Sequence, residues 1–262
     1  SLARSGLQRK DVKYSKTALL TIAEGYAREA GLRNFEKALD KIHRKLARKS
    51  VLEKLSLPVS IEPAQIEEYL GKPIFYEEGI KKITRPGMTL GLAWTPLGGA
   101  MLTMEAVANP GKEGFRLTGQ LGNVMQESAN IAYTYVRHIA GDFGVNTEFF
   151  EKNQIHLHVP AGATPKDGPS AGITMASCLL SLATGKKIKQ SLAMTGELSL
   201  VGQVLPIGGL KEKVIAAKRN KIKKIIIPEQ NEKDLADIPD HVKKGIDFHP
   251  VQNMEQVIER LF

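Results

Sequence analysis

The chain has 262 residues, 42% hydrophobic and 25% charged, with a formal net charge of +9; this is a globular composition, sufficient for one large domain or two ordinary ones. No apolar run is long enough to span a bilayer and no signal-peptide pattern is present, which argues against a membrane protein. A single cysteine, Cys178, cannot form an internal disulfide and fits a reducing compartment.

The charge is unevenly spread. Residues 1–54 carry a net +8, residues 55–78 a net −4, and the rest a net +5. A basic N-terminal part can serve DNA or an acidic partner, or can simply be a set of solvated helix faces. In this part Leu19, Ile22, Ala23, Tyr26 and Ala30 have helical spacing, and so do Leu32, Phe35, Leu39, Ile42 and Leu46. Gly31 separates the two helices, and a third is expected to open at Pro63. An all-helical first part is therefore expected, with 71–87 as the connection to the next.

The second part alternates. Strands are expected at 90–94 and 100–107 around a Pro96–Gly99 turn, and at 115–118, followed by a long helix at 121–140. A strand at 155–159, a helix from Ala171 to Leu182, a strand ending at Thr195, a helix through Lys213, a buried strand at 225–227 and a closing helix complete the series. An early hairpin followed by alternation predicts a mixed sheet, hence an α+β or mixed fold class with a helical N-terminal subdomain. Trp94 is expected in the core.

Two stretches carry chemistry. In Asp167-Gly168-Pro169-Ser170-Ala171-Gly172 a serine stands between a strand and a helix. Ser170 reads either as a helix N-cap or as a nucleophile whose glycine-rich turn admits a substrate and whose helix start offers N–H groups to an oxyanion. In Gly208-Gly209-Leu210-Lys211-Glu212-Lys213, the helix that opens places Leu210, Val214 and Ala217 on one apolar stripe. Lys213 lies beside that stripe, whereas Lys211 and Lys218 point elsewhere. Burial lowers a lysine's pKa and makes it a base for serine; the alternative is a side chain snorkelling to water. Thr195 ends a strand beside Gly196, where its hydroxyl can orient the amine or merely be a β-branched strand residue.

These stretches, together with Ala193-Met194-Thr195-Gly196-Glu197, Gly202-Gln203-Val204-Leu205-Pro206-Ile207-Gly208-Gly209, Gly91-Leu92-Ala93-Trp94-Thr95, Gly122-Asn123-Val124-Met125-Gln126-Glu127-Ser128 and His156-Leu157-His158-Val159-Pro160, resemble the proteolytic domain of the Lon ATP-dependent proteases. The likeness runs from about Gly91 to the end. It implies a Ser–Lys endopeptidase, with Ser170 as nucleophile, Lys213 as base and Thr195 in support. Tyr26-Ala27-Arg28-Glu29-Ala30-Gly31-Leu32-Arg33 is similar to the small helical subdomain of Lon's ATPase module, and implies that Arg33 reaches nucleotide phosphates. The expected division is 1–75 for that subdomain and 76–262 for the proteolytic domain.

The family also implies unfolded, damaged or regulatory proteins as substrates, a hexamer, and ATP with magnesium in the full-length protein. It implies a bacterial cytoplasmic or mitochondrial setting. Gly-Lys occurs at 71–72, 111–112 and 185–186 but never before Ser or Thr, so no P-loop is present and the chain is expected to hydrolyse no ATP by itself. It starts without methionine, as expected of a fragment of a longer protein.

Other groupings are weaker. His156 and His158 share a strand face, where they can bind metal, join Ser170 and Asp167 in a triad, or sit as plain surface residues. No metal is expected, and the Lon likeness argues for lysine as the base. His158, Asp167 and Gly168 are expected to shape the groove near Ser170, and Glu105 either to tune Lys213 or to face solvent. The alternative to an enzyme is an inert Lon-like structural or DNA-binding module.

Overall fold

The computed structural model describes all residues except 1, 30, 76–81, 96–97, 147 and 161–164, and the side chain of residue 3. The middle of the expected connection and Pro96–Leu97 of the expected turn therefore lie outside the described residues. The chain divides into two compact units, Ser1–Gly79 and Ile80–Phe262.

The first unit holds β1 (Val12–Tyr14), α1 (Lys16–Tyr26), α2 (Arg33–Leu52), β2 (Val59–Ile61) and α3 (Pro63–Leu70). The Ser15 hydroxyl caps α1 by accepting from the Ala18 N–H at 3.1 Å, and Pro63 stands in the first turn of α3. Ile22, Ile42, Leu46, Ile61 and Ile66 pack one small core. The expectation of an all-helical part is corrected, because β1 and β2 pair in parallel, Val12 opposite Val59. Three-residue strands joined over some forty-five intervening residues leave no local periodicity to read.

The second unit contains β3 (Met88–Thr95), β4 (Gly98–Pro110), β5 (Gly114–Thr118), α4 (Asn123–Ile139), α5 (Glu148–Glu151), β6 (Asn153–His158), α6 (Gly172–Thr184), β7 (Leu192–Met194), β8 (Glu197–Leu198), β9 (Val204–Leu205), α7 (Leu210–Arg219), β10 (Lys224–Pro228), α8 (Asp240–Lys243), β11 (Asp247–Val251) and α9 (Met254–Leu261). Seven strands form one sheet in the order β11-β10-β7-β3-β4-β6-β5. Pairs involving β4 are antiparallel and the others parallel, which is the expected mixed sheet.

Two helices sandwich the β3–β4 hairpin. A Cβ on Gly91 would face Thr174 of α6, and one on Gly99, the cross-strand partner of Trp94, would face Glu212 of α7. Residues 91 and 94 point to opposite faces of the strand, so α6 and α7 cover opposite faces of the sheet. Trp94 is a second correction: it is 57% exposed. Its ring leans on Gly209 at the entry to α7, where β3 has run past its pairing with β7, and so escapes the core.

Candidate active site

The C-terminal end of β7 is where the two motifs meet. Thr195 follows the strand directly, is fully buried and donates its backbone N–H to Ile226 of β10 at 3.1 Å. From one side α6 brings Ser170 in the turn before its first residue; from the other α7 brings Lys213. The Lys213 ammonium donates to Thr195 Oγ1 at 3.1 Å, and Thr195 Oγ1 donates to the Ser170 carbonyl, also at 3.1 Å. The same carbonyl accepts the Gly196 N–H at 2.9 Å. Ser170 and Lys213 are thus linked through Thr195, with no direct hydrogen bond of their own among the described residues.

Lys213 is 2% exposed. Burial lowers its pKa from 10.5 to about 8, and no neighbouring charge contributes. The site therefore holds a lysine whose neutral form is accessible near neutral pH. Ser170 is half-buried. The Ile173 N–H is taken by the Gly196 carbonyl and that of Gly172 by the Pro169 carbonyl. Among the described residues the N–H groups of Ser170 and Ala171 have no such partner, which leaves two donors at the start of α6 for an anion.

The turn before Ser170 is stapled to α4. One Asp167 carboxylate oxygen accepts the Met125 N–H at 2.9 Å and the Gly168 N–H at 2.8 Å, so Asp167 caps α4 from a remote segment. The Ser128 hydroxyl, one turn further along α4, donates to the Pro169 carbonyl at 3.3 Å. Gly168 has φ of 112°, a conformation suited to glycine. The roles of Ser128 and Gly196 escaped the sequence reading; only the adjoining Gly122–Ser128 motif hinted at the former.

The remaining candidates lie apart. His156 Nε2 and His158 Nδ1 both bond the Thr118 hydroxyl, at 2.8 and 2.7 Å. Asp167 is engaged by backbone N–H groups and both histidines by Thr118, so no Ser–His–Asp triad is assembled among the described residues. Glu105 stands opposite His158 and Met88. It is six residues along β4 from Gly99, where α7 packs, or roughly 20 Å of strand. Its charge raises the Cys178 thiol pKa, whereas the lowering at Lys213 comes from burial. In the first unit Arg33 is exposed at the start of α2. No group of three His, Cys, Asp or Glu suited to a metal occurs among the described residues.

A buried lysine, a threonine relay and a serine at a helix start match the expectation of a Ser–Lys peptidase, and the comparisons agree. Residues 60–262 match the model of the Lon protease C-terminal proteolytic domain, and residues 3–59 that of the Lon protease AAA+ ATPase lid domain. The chain belongs to the Lon protease family. All of it aligns with Lon protease 1 of Borreliella burgdorferi at 52% identity and Lon protease of Treponema pallidum at 53%, covering 32% and 30% of those proteins. Lon protease of Desulfovibrio desulfuricans is 48% identical over the full chain. The chain thus spans about a third of the relatives it matches. It carries the serine peptidase part of the family together with a lid domain, and the inert-module alternative is disfavoured.

Proposed function

We propose that Ser170 and Lys213 are the catalytic pair of this peptidase. Neutral Lys213 takes the Ser170 hydroxyl proton as Oγ bonds to the peptide carbonyl carbon. The N–H groups of Ser170 and Ala171 hold the oxyanion. As the C–N bond breaks, Lys213 gives its proton to the leaving amine. Water then attacks the acyl-enzyme, Lys213 receiving a proton from it and returning one to Ser170 Oγ. Thr195 orients the amine, while Asp167 and Gly168 hold the turn; His158 and Glu105 are assigned to the sheet beyond the site. The observation that carries this reading is the Lys213–Thr195–Ser170 chain of hydrogen bonds around a lysine 2% exposed. Hydrogen bonds between nucleophile and base commonly tighten only when substrate binds.

Residues 1–75 are assigned to the lid subdomain and 76–262 to the proteolytic domain. In the whole protein, ATP-driven delivery of unfolded, damaged or regulatory proteins to Ser170 and assembly into a hexamer follow from the family. Peptide-bond chemistry draws on no cofactor in this chain. With no P-loop present, Arg33 is the residue proposed to meet nucleotide; its guanidinium is without an ion pair among the described residues, as fits a phosphate ligand. The bacterial relatives support a bacterial cytoplasmic setting, and no described helix is long and apolar enough to cross a membrane. The excess of positive charge over 1–54 supports DNA as an additional ligand.

Hydrolysis of a fluorogenic peptide without ATP tests the pair. Ser170→Ala and Lys213→Ala are each expected to reduce kcat by at least about 10³-fold with the fold intact. Cleavage retained by either variant overturns the assignment.

A further inference from the structure

Helix α7 packs on the β3–β4 hairpin, closely so where Trp94 stands opposite Gly99. A Cβ on Gly99 would come within 1.9 Å of the Glu212 carbonyl oxygen and 3.0 Å of Ala216 Cβ. Gly209, with φ of 68°, lies so close to Trp94 that a Cβ there would meet the indole at 2.9 Å. The two turns from Gly209 to Ala216 thus fit a hollow at Gly99 beside an indole wall, and Lys213 is in the middle of that stretch. Arg219, near the end of α7, closes the arrangement by donating to the Gly99 carbonyl at 3.0 Å. Gly99 therefore meets α7 twice, through its bare Cα and through its carbonyl.

We propose that Gly99 and Arg219 are positioning residues for Lys213, holding α7 close enough to the hairpin to keep the ammonium out of water and aimed at Thr195. The inference rests on the reading of Lys213 as the base. Strand β3 carries no charged residue. Other charged groups on elements packed against α7 are Glu105 on β4, residues Glu229, Glu232, Lys233, Asp234 and Asp237 of the adjoining 3-10 stretch, and Asp240, His241 and Lys243 on α8. On α7 itself are Lys211, Glu212, Lys218 and Arg219. None of them contributes to the lowering at Lys213, whose one cause is burial. The titration of this lysine is therefore a gauge of how closely the helix is seated.

The test uses the 262-residue chain with ¹³C at lysine Cε. The Lys213 resonance, assigned by its loss in Lys213→Arg, is followed against pH, alongside the pH profile of kcat/KM for a fluorogenic peptide. In Gly99→Ala, where the helix must move by about an ångström, and in Arg219→Gln, Lys213 is expected to titrate above its wild-type value. The rising limb of kcat/KM is expected to move to higher pH with it, and activity at pH 7 to fall roughly tenfold for each pH unit the limb travels. Arg219→Lys, which still donates to a carbonyl, is expected to restore most of both. A merely structural role would lower the folded fraction at every pH without moving the limb. Unchanged Lys213 titration in Gly99→Ala and Arg219→Gln overturns the proposal; if Gly99→Ala does not fold, the two Arg219 variants decide. Peptide cleavage retained by Lys213→Ala would instead defeat the reading of the base, and the Lys213 titration would still report on the seat.

Discussion

Thr195 Oγ1 has its single proton committed to a hydrogen bond with the Ser170 carbonyl and accepts a hydrogen bond from Lys213. The hydroxyl is therefore a one-way relay, in which the lysine must be the donor and Ser170's peptide the acceptor. Thr195→Val removes both bonds inside a fully buried environment, leaving the amine unpaired. A loss of about 1–3 kcal/mol in stability and a fall of about 10- to 100-fold in kcat are expected, with Thr195→Ser keeping most of both. Urea unfolding and peptide hydrolysis of the two variants check this, and a Thr195→Ser more damaging than Thr195→Val would show that the methyl group rather than the hydroxyl matters.

The pH dependence has a definite sign. Lys213 acts as a base only when neutral, so kcat/KM should rise with pH through about 8. The stability effect runs the same way. Because burial lowers the folded-state pKa from 10.5 to about 8, the unfolded chain binds more protons between those values and stability from this group increases with pH there. Below about pH 8 the full penalty stands, on the order of 3 kcal/mol. Lys213→Met should therefore be inactive yet more stable at pH 7, with a flatter pH dependence of Tm between pH 8 and 10. Destabilisation by this substitution at pH 7 would mean that the amine is better solvated than its burial implies.

Asp167 and Gly122 are sterically coupled. A Cβ on Gly122 would lie 2.4 Å from Asp167 Cγ, while the Asp167 carboxylate caps α4. Asp167→Ala should cost about 1 kcal/mol of stability and lower kcat by releasing the turn before Ser170. Gly122→Ala should be less damaging in the Asp167→Ala background than alone. A double-mutant cycle by chemical unfolding gives the coupling, and additive effects would count against the shared site.

Cys178 is fully buried on α6, its thiol bonded to the Gly87 carbonyl at 3.2 Å and its pKa pushed up to about 12 by burial. A thiol reagent at pH 8 should leave it unlabelled in the folded chain and react only as α6 lifts from β3. Labelling as fast as that of a free thiol would contradict this packing.

The sequence was most legible where one periodicity dominates. Ile155 and Leu157 point inward while His156 and His158 do not, as alternation requires. Lys213 next to the Leu210–Val214–Ala217 stripe is buried, as its angle on the helix demands. Legibility failed where an element depends on a distant partner. The edge strand β11 was missed because Pro250 weakens its pattern, although proline is tolerated at a sheet edge. Trp94 was misplaced because hydrophobicity does not reveal where a strand outruns its neighbour. The meeting of Ser170, Thr195 and Lys213 could be expected only from family likeness, since residues separated by 25 and 18 positions carry no local sign of their contact.

The pairing of β3 with β7 rests on a single register pair, Gly91 with Met194. The sheet is thus two half-sheets meeting at a narrow seam, one of β11, β10 and β7, the other of β3, β4, β6 and β5. Thr195 is anchored at the first half through Ile226 of β10, whereas the helix that follows Ser170 and the helix bearing Lys213 are both bedded on the second, on opposite faces of the β3–β4 hairpin. Nucleophile and base thereby share one plate, and the threonine that links them stands on the other, so the hydrogen bonds of Thr195 to Lys213 and to the Ser170 carbonyl cross the seam.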